Sequence, residues 1–215
     1  MRFTSLPYLC MGLITIGGCN TNAIHGSGVA KTESRTVGSF SRIELAGSAD
    51  AEVSIGAATE VAVTTDDNIL PAIETRLEGD TLRIGFTQSY VSRLGVKVKI
   101  TVPALNGVGV SGSGDIRVTG LRTGDLEARV TGSGDVTLQG AVGRLSGEVV
   151  GSGDLRAGDL EVKEVRVRVT GSGDATVRAS EQLEASVTGS GDVCYYGNPP
   201  QVRKSVTGSG SIGPR

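Results

Sequence analysis

Val130-Thr131-Gly132-Ser133-Gly134-Asp135-Val136-Thr137-Leu138 is one copy of a pattern that recurs through the second half of this chain. Its Gly-Ser-Gly-Asp core ends at Asp115, Asp135, Asp154, Asp174 and Asp192, and a final Gly-Ser-Gly-Ser ends at Ser211. The leading glycines, Gly112, Gly132, Gly151, Gly171, Gly189 and Gly208, follow one another at steps of 20, 19, 20, 18 and 19 residues. A near-constant period of this length marks a solenoid, in which each repeat is one rung stacked on the last.

Laying the copies over one another predicts which side chains face the core. The residue after each aspartate is Ile116, Val136, Leu155, Ala175 or Val193, with Ile212 in the last copy. Two further on come Val118, Leu138, Ala157, Val177 and Tyr195, and between them Arg117, Thr137, Arg156, Thr176 and Cys194. Side chains alternate along a strand, so the first two sets face inward and the third outward. The strand before each Gly-Ser-Gly behaves alike. Val110, Val130, Val149, Val169, Val187 and Val206 form one inward column, and Leu126, Leu145, Val165, Leu183 and Val202 another. Arg129, Glu148, Arg168 and Ser186 point outward. Only Lys204 breaks the inward aliphatic set, in the last rung, where a lysine can snorkel to solvent. Each rung thus predicts two good strands, with room for a short third segment near Gly120–Gly124. Rungs would pair in parallel at about 4.8 Å.

Composition agrees. Glycine supplies 33 of 215 residues, about twice the usual share, and sits largely in the repeats, so it reads as turn chemistry rather than disorder. Aromatics are 3% and tryptophan is absent, so a core must come from stacked aliphatic side chains. A net charge of −2 without a basic patch argues against a nucleic-acid partner.

Before the regular repeat the pattern is worn but the strands remain legible. Gly47-Ser48-Ala49-Asp50 reads as a degenerate copy of the tetrapeptide. Ile73–Glu78, Gly79-Asp80 and Thr81–Phe86 read as a hairpin, and Val96–Val102 as an alternating strand. Asp66-Asp67-Asn68 is placed to cap a single helical turn at Ile69-Leu70 before Pro71. Residues 87–95 read as a loop.

The N-terminus reads as an export signal. Arg2 is the only charge in residues 1–18, followed by an apolar stretch through Leu9, Leu13, Ile14 and Ile16 that closes on Gly17-Gly18-Cys19. The segment is too short for a spanning helix of about 20 apolar residues. Ile16-Gly17-Gly18-Cys19 resembles the lipobox of bacterial lipoprotein signals. That resemblance implies cleavage after residue 18 and lipidation of Cys19, which anchors the chain to a membrane of the cell envelope. A generic secretory signal is the alternative. Residues 19–35 then read as lipidated cysteine plus flexible tether, with a root-mean-square reach of roughly 20 Å, and residues 36–215 as the folded domain. Cys194 is the one cysteine left in that domain, so it has no intrachain disulfide partner there.

Catalytic constellations are sparse. His25 is the only histidine and falls in the expected tether, which argues against Ser-His-Asp, Cys-His and histidine-based zinc chemistry in the domain. The glycines of Gly-Ser-Gly-Asp are expected to supply a corner with positive φ or close backbone approach, and its serines and aspartates to bond nearby N–H groups. The stacked aspartates 115, 135, 154, 174 and 192 must still offset a mutual repulsion of roughly 0.9 kcal/mol per neighbouring pair in water. Backbone donors, basic neighbours or cations would serve, and calcium is the one cofactor this column suggests.

Taken together, Phe40-Ser41-Arg42-Ile43-Glu44-Leu45, Asp67-Asn68-Ile69-Leu70, the Val-Thr-Gly-Ser-Gly-Asp repeats and Tyr196-Gly197-Asn198-Pro199 resemble the putative auto-transporter adhesin, head GIN domain family over roughly residues 36–213. The resemblance implies an all-β, single-stranded, right-handed parallel β-helix on exported, lipid-anchored envelope proteins, with the outer membrane as the expected location. It supplies no catalytic or binding residue to carry over. The expected function is a non-catalytic adhesin or surface interaction module whose partners are glycans or envelope proteins. A polysaccharide-binding or polysaccharide-active β-helix and a structural envelope protein without a ligand are the alternatives.

Overall fold

The computed structural model describes residues 23–215, and the fold is a β-solenoid. From Gly107 onward every strand pairing is parallel and in repeat register, so that Val110 meets Val130, Val130 meets Val149, and Val149 meets Val169. Strands Ile116–Gly132, Val136–Gly151 and Leu155–Gly171 run unbroken around their rungs rather than as two separated strands. The segment near Gly120–Gly124 stays paired, with only a register shift after Val118. It adds a third side to the core through Leu121, Val142, Leu160 and Val162, all buried. The aliphatic columns read from the sequence are buried in every rung but the last, and a fully buried Val, Leu or Ile contributes about 1.5–3 kcal/mol.

The corner explains the glycines. Gly132 has φ +111°, and a Cβ there would lie 2.5 Å from the Gly112 carbonyl oxygen. Gly134 is more confined, since a Cβ would meet the Gly114 carbonyl oxygen at 2.0 Å. The first glycine's carbonyl accepts two N–H groups from the rung above: Ser133 (2.8 Å) and Gly134 (3.1 Å) both donate to Gly112. The worn copy obeys the same geometry, because Gly47 has φ +90° and pairs with Gly112.

The N-terminal end is built differently. The expected hairpin is present as Ile73–Glu78 against Thr81–Phe86, and Glu60–Asp66 runs antiparallel to Lys97–Val102. Much of the described part of the segment expected to be a flexible tether is paired in strands instead. Ala30–Ser34 pairs antiparallel with Glu60–Asp66, and Ile24–His25 pairs with Tyr90–Val91 inside the expected loop. Buried Asp66 secures this arrangement by accepting from Gly28 N–H (2.6 Å) and from the Ser92 hydroxyl. The Ser92 bond, followed by Gly28, holds its carboxyl below the usual range against the opposing effect of burial. Asn68 likewise accepts from Ser27 N–H and donates to the His25 carbonyl. These side chains therefore do not cap the helical turn, which spans Leu70–Ala72, includes Pro71 and has no side-chain cap. The export signal and Cys19 lie outside the described residues. No helix among the described residues is long and apolar enough to cross a membrane.

At the other end, Gln201–Gly208 pairs only with Gln182–Gly189 and is exposed along its whole length. Val202 and Val206 sit in the aliphatic columns yet stay 40% and 44% exposed. Lys204 stands in the inward row, its ammonium 4.7 Å from the Tyr195 ring centroid and bonded to the Ile212 carbonyl (3.3 Å). An inward-pointing charge on an edge strand discourages pairing with another chain.

Two outcomes follow from this packing. Gly134→Val should cost about 3 kcal/mol or more, a melting midpoint lower by roughly 6 °C or more. Gly124→Ala should be near neutral, since nothing lies within 4 Å of its added Cβ; equal midpoints for the two variants would refute the corner argument. Lys204→Val should produce concentration-dependent association in sedimentation velocity, and an unchanged monomer would show that the lysine does not protect this edge.

Candidate functional site

The aspartates of the repeat form a ladder along the corner. Asp135 N–H donates to Asp115 Oδ1 (2.9 Å), Asp154 N–H to Asp135 (2.9 Å), Asp174 N–H to Asp154 (3.0 Å) and Asp192 N–H to Asp174 (2.8 Å). The ladder begins one rung earlier than the regular repeat, with Asp115 N–H donating to Asp50 (3.2 Å). It ends where Ser211 donates both its N–H (2.7 Å) and its hydroxyl (2.8 Å) to Asp192. A hydrogen bond to a charged acceptor is stronger than a neutral one, so each carboxylate is offset by a backbone donor of the next rung. Arg156 adds to this by pairing with Asp135 and Asp154. Burial pulls its guanidinium down, but these carboxylates outweigh it and raise its pKa. Backbone donors and the basic neighbour Arg156 thus both contribute to the offset that the stacked carboxylates require. No group of three or more acidic, histidine or cysteine side chains is placed to hold a metal ion among the described residues.

Two outward faces of the solenoid differ in how their charges are satisfied. On the face before each Gly-Ser-Gly, opposite charges alternate from rung to rung. Arg144 bridges Asp125 (3.4 Å) and Glu164 (3.0 Å), Arg129 pairs with Glu148 (3.1 Å), and Arg166 with Glu184 (3.4 Å). Exposed pairs of this kind contribute about 0–1 kcal/mol each. They nevertheless neutralise an open cleft of about 600 Å³ lined by Arg42, Glu127, Asp125 and Arg144, because Arg42 is bonded to Glu127.

The face after each Gly-Ser-Gly-Asp holds an open cleft of about 580 Å³ whose lining includes Arg117, Arg156, Arg178, Arg215, Tyr196, Asp154, Asp159 and Asp174. Its floor follows the repeat register Arg117–Thr137–Arg156–Thr176. Among the described residues Arg117, Arg178 and Arg215 form no ion pair with a carboxylate. Arg178 donates from Nε to the Gly158 carbonyl (2.9 Å), and its guanidinium carbon lies 5.1 Å from the Tyr196 ring centroid. Arg215 approaches the same ring at 5.9 Å. Sequence reasoning found the outward Arg-Thr row but missed Arg178 and Tyr196, although the repeat offset that aligns Cys194 with Thr176 also aligns Tyr196 with Arg178. Cys194, expected to face outward, lies in this row and is half-buried.

Comparison with known proteins agrees with this architecture. Residues 39–199 match the family described as putative auto-transporter adhesin, head GIN domain, and the chain belongs to that family. A crystal structure of a putative adhesin from Bacteroides fragilis is similar at 26% identity, with a TM-score of 0.74, covering 90% of this chain and 100% of that one. A putative lipid binding protein from Parabacteroides distasonis is also 26% identical, with a TM-score of 0.55, covering 90% and 99%. A putative adhesin from the same organism shares the fold at 23% identity and a TM-score of 0.51, covering 90% and 100%. No curated protein matches the sequence.

The ladder predicts a graded response. Asp174→Ala should lower stability by about 1 kcal/mol by removing the acceptor of the Asp192 N–H, and Asp174→Asn should lose less because it keeps a carbonyl oxygen there. The wild-type melting midpoint should be the same in calcium as in chelator. Wild-type stability of Asp174→Ala would remove the ladder's structural role, and a calcium-dependent rise would assign the remaining carboxylate oxygens to a cation.

Proposed function

We propose that this member of the head GIN family is a non-catalytic interaction module of the cell envelope, lipid-anchored through Cys19 and acting in adhesion. The observation that carries this reading is the register of the outward side chains, repeated rung after rung on a rigid parallel frame. Such a surface offers the same groups at a fixed spacing of about 4.8 Å, so many weak contacts to a repetitive partner sum by multivalency. The relatives described as adhesins support the same reading, and none of the neighbours named above is described as an enzyme.

Anchoring through Cys19 would hold the domain close to its membrane. With Ile24–His25 already in a strand, the five chain steps from Cys19 to Ile24 reach at most about 17 Å when fully extended. The antiparallel N-terminal end would then face the membrane, and the regular rungs would be stacked beyond it. The outer membrane is the expected location in this reading.

The reading is tested with the full chain expressed in a bacterial host. Cys19→Ala should move the protein from the membrane to the soluble fraction. Cells carrying the wild-type chain should attach to glycan-coated or envelope-polymer-coated surfaces several-fold above cells without it. Equal attachment across the whole panel would overturn the adhesive role, and membrane retention of Cys19→Ala would overturn the lipid anchor.

A further inference from the structure

We propose that the cleft of Arg117, Arg156, Arg178 and Tyr196 binds an extended saccharide chain bearing carboxylates, laid along the solenoid axis. This rests on the adhesive reading above and names the class of ligand for it.

The shape comes first. The cleft crosses successive rungs from Arg117 to Tyr196, so its long axis follows the stack rather than a strand. Arg117 and Arg156 stand two rungs apart, about 10 Å, with Thr137 between them. A linear polymer matches such a row along its length, whereas a compact ligand would meet only one or two rungs of it.

Charge decides the class. In the cleft on the other face, the arginines are neutralised by Glu127, Asp125 and Glu164. Here Arg117, Arg178 and Arg215 have no carboxylate partner among the described residues, and Arg156 alone is paired. Tyr196 gathers two of the unpaired guanidinium groups without neutralising them, because a ring quadrupole attracts a cation but accepts none of its N–H bonds in the plane. Tyr196 is therefore a positioning residue. The Arg178 bond to the Gly158 carbonyl uses only Nε and leaves both terminal nitrogens to grip a carboxylate end-on. Gly158 keeps the floor low, since a Cβ there would lie 3.0 Å from the Tyr196 ring and 3.2 Å from Thr176.

The aspartates then narrow the anion. Asp154, Asp159 and Asp174 share the lining, and they would repel a densely charged phosphate backbone. They accept hydrogen bonds from hydroxyl groups, which arginine cannot do. A ligand that alternates carboxylates with hydroxyl groups satisfies both sets, and that is the chemistry of a uronate polysaccharide. Leu155 and the Tyr196 ring are the main apolar groups in the lining and give an acyl chain little to bury against.

The test uses the full chain carrying Cys19→Ala, which has no lipid to insert, titrated in detergent-free buffer with oligogalacturonate and oligomannuronate, with a neutral galacto-oligosaccharide of equal length, and with phosphatidylglycerol vesicles. At least one uronate oligomer should bind, more weakly as salt rises, and the neutral oligomer should not. Arg178→Ala and Arg117→Ala should each weaken that binding about tenfold, with an unchanged melting midpoint for Arg117→Ala and one lower by no more than about 4 °C for Arg178→Ala, which also loses its bond to the Gly158 carbonyl. Arg178→Lys, which keeps the charge but not the fork, should recover part of the loss. Gly158→Val should block binding while leaving every charge in place. Binding of neither uronate, equal binding of the neutral oligomer, or binding of vesicles alone would overturn the ligand class. Uronate binding indifferent to all four variants would overturn the cleft assignment. Each of these outcomes leaves cell attachment, which tests the adhesive reading, as a separate measurement. Uronate binding without cell attachment would instead sink the adhesive reading and keep this site.

Discussion

The structure depends on one close approach. At the second glycine of each corner the backbone of a rung lies so near the rung below that an added Cβ at Gly134, Gly153, Gly173, Gly191 or Gly210 would meet a carbonyl oxygen at 2.0 Å. No side chain fits there, so the corner is fixed in register by sterics before any favourable contact is counted. Once the corners are stacked, the aspartate that follows is carried to the same place in every rung, where the next rung's N–H group reaches it. The inward residues then fall into aliphatic columns because the strand period is two and the starting point is always the same. A core with few aromatics is adequate under this regime, since stacked valines and leucines leave no gap that a large ring is needed to fill.

The same register separates two kinds of surface. Where the outward row alternates acid and base from rung to rung, most side chains find a partner, as Arg144 does with Asp125 and Glu164, while Arg168 has none among the described residues. Where the row reads Arg117, Thr137, Arg156, Thr176, the period places threonine between the arginines, and neighbouring rungs supply little to pair with them. Arg156 is the exception because the aspartate ladder passes beside it. Register thus decides which charges meet, and the two clefts differ in the outcome: Arg42 and Arg144 are paired in one, whereas Arg117, Arg178 and Arg215 have no carboxylate partner in the other among the described residues.

Much of this was legible in the sequence because the relevant contacts recur at a fixed offset. The columns, the outward rows, the worn corner at Gly47-Ser48-Ala49-Asp50 and the exceptional Lys204 all follow from aligning the copies. The antiparallel N-terminal end was not legible in the same way. Ser27, Gly28 and Val29 have the composition of a linker, and what orders them is Asp66, Asp67 and Asn68, about 40 residues away and outside any repeat. The same three polar residues read locally as a helix cap, a role they do not fill because their side chains are engaged with the N-terminal segment. Arg178 and Tyr196 lie between these cases. The offset that pairs them was available, but alignment by inward position draws attention to Tyr195, and the neighbouring outward tyrosine is passed over.

The two ends of the stack place opposite demands on the chain. A parallel column cannot close on itself, so its terminal strands present unpaired backbone groups. At the N-terminal end the direction of the chain reverses, and antiparallel strands Ile73–Glu78 and Ala30–Ser34 become the outermost members of their columns. At the other end the parallel repeat simply continues to Gln201–Gly208, with its valines exposed, and one substitution in the inward row supplies the protection. Lys204 can do this because the Tyr195 ring lies beneath it and the Ile212 carbonyl lies within reach. Tyr195 and Tyr196 are adjacent and point to opposite sides of their strand, so one short segment serves both ends of the argument. One ring seats the charge that guards the open edge, and the other seats the charges that line the cleft.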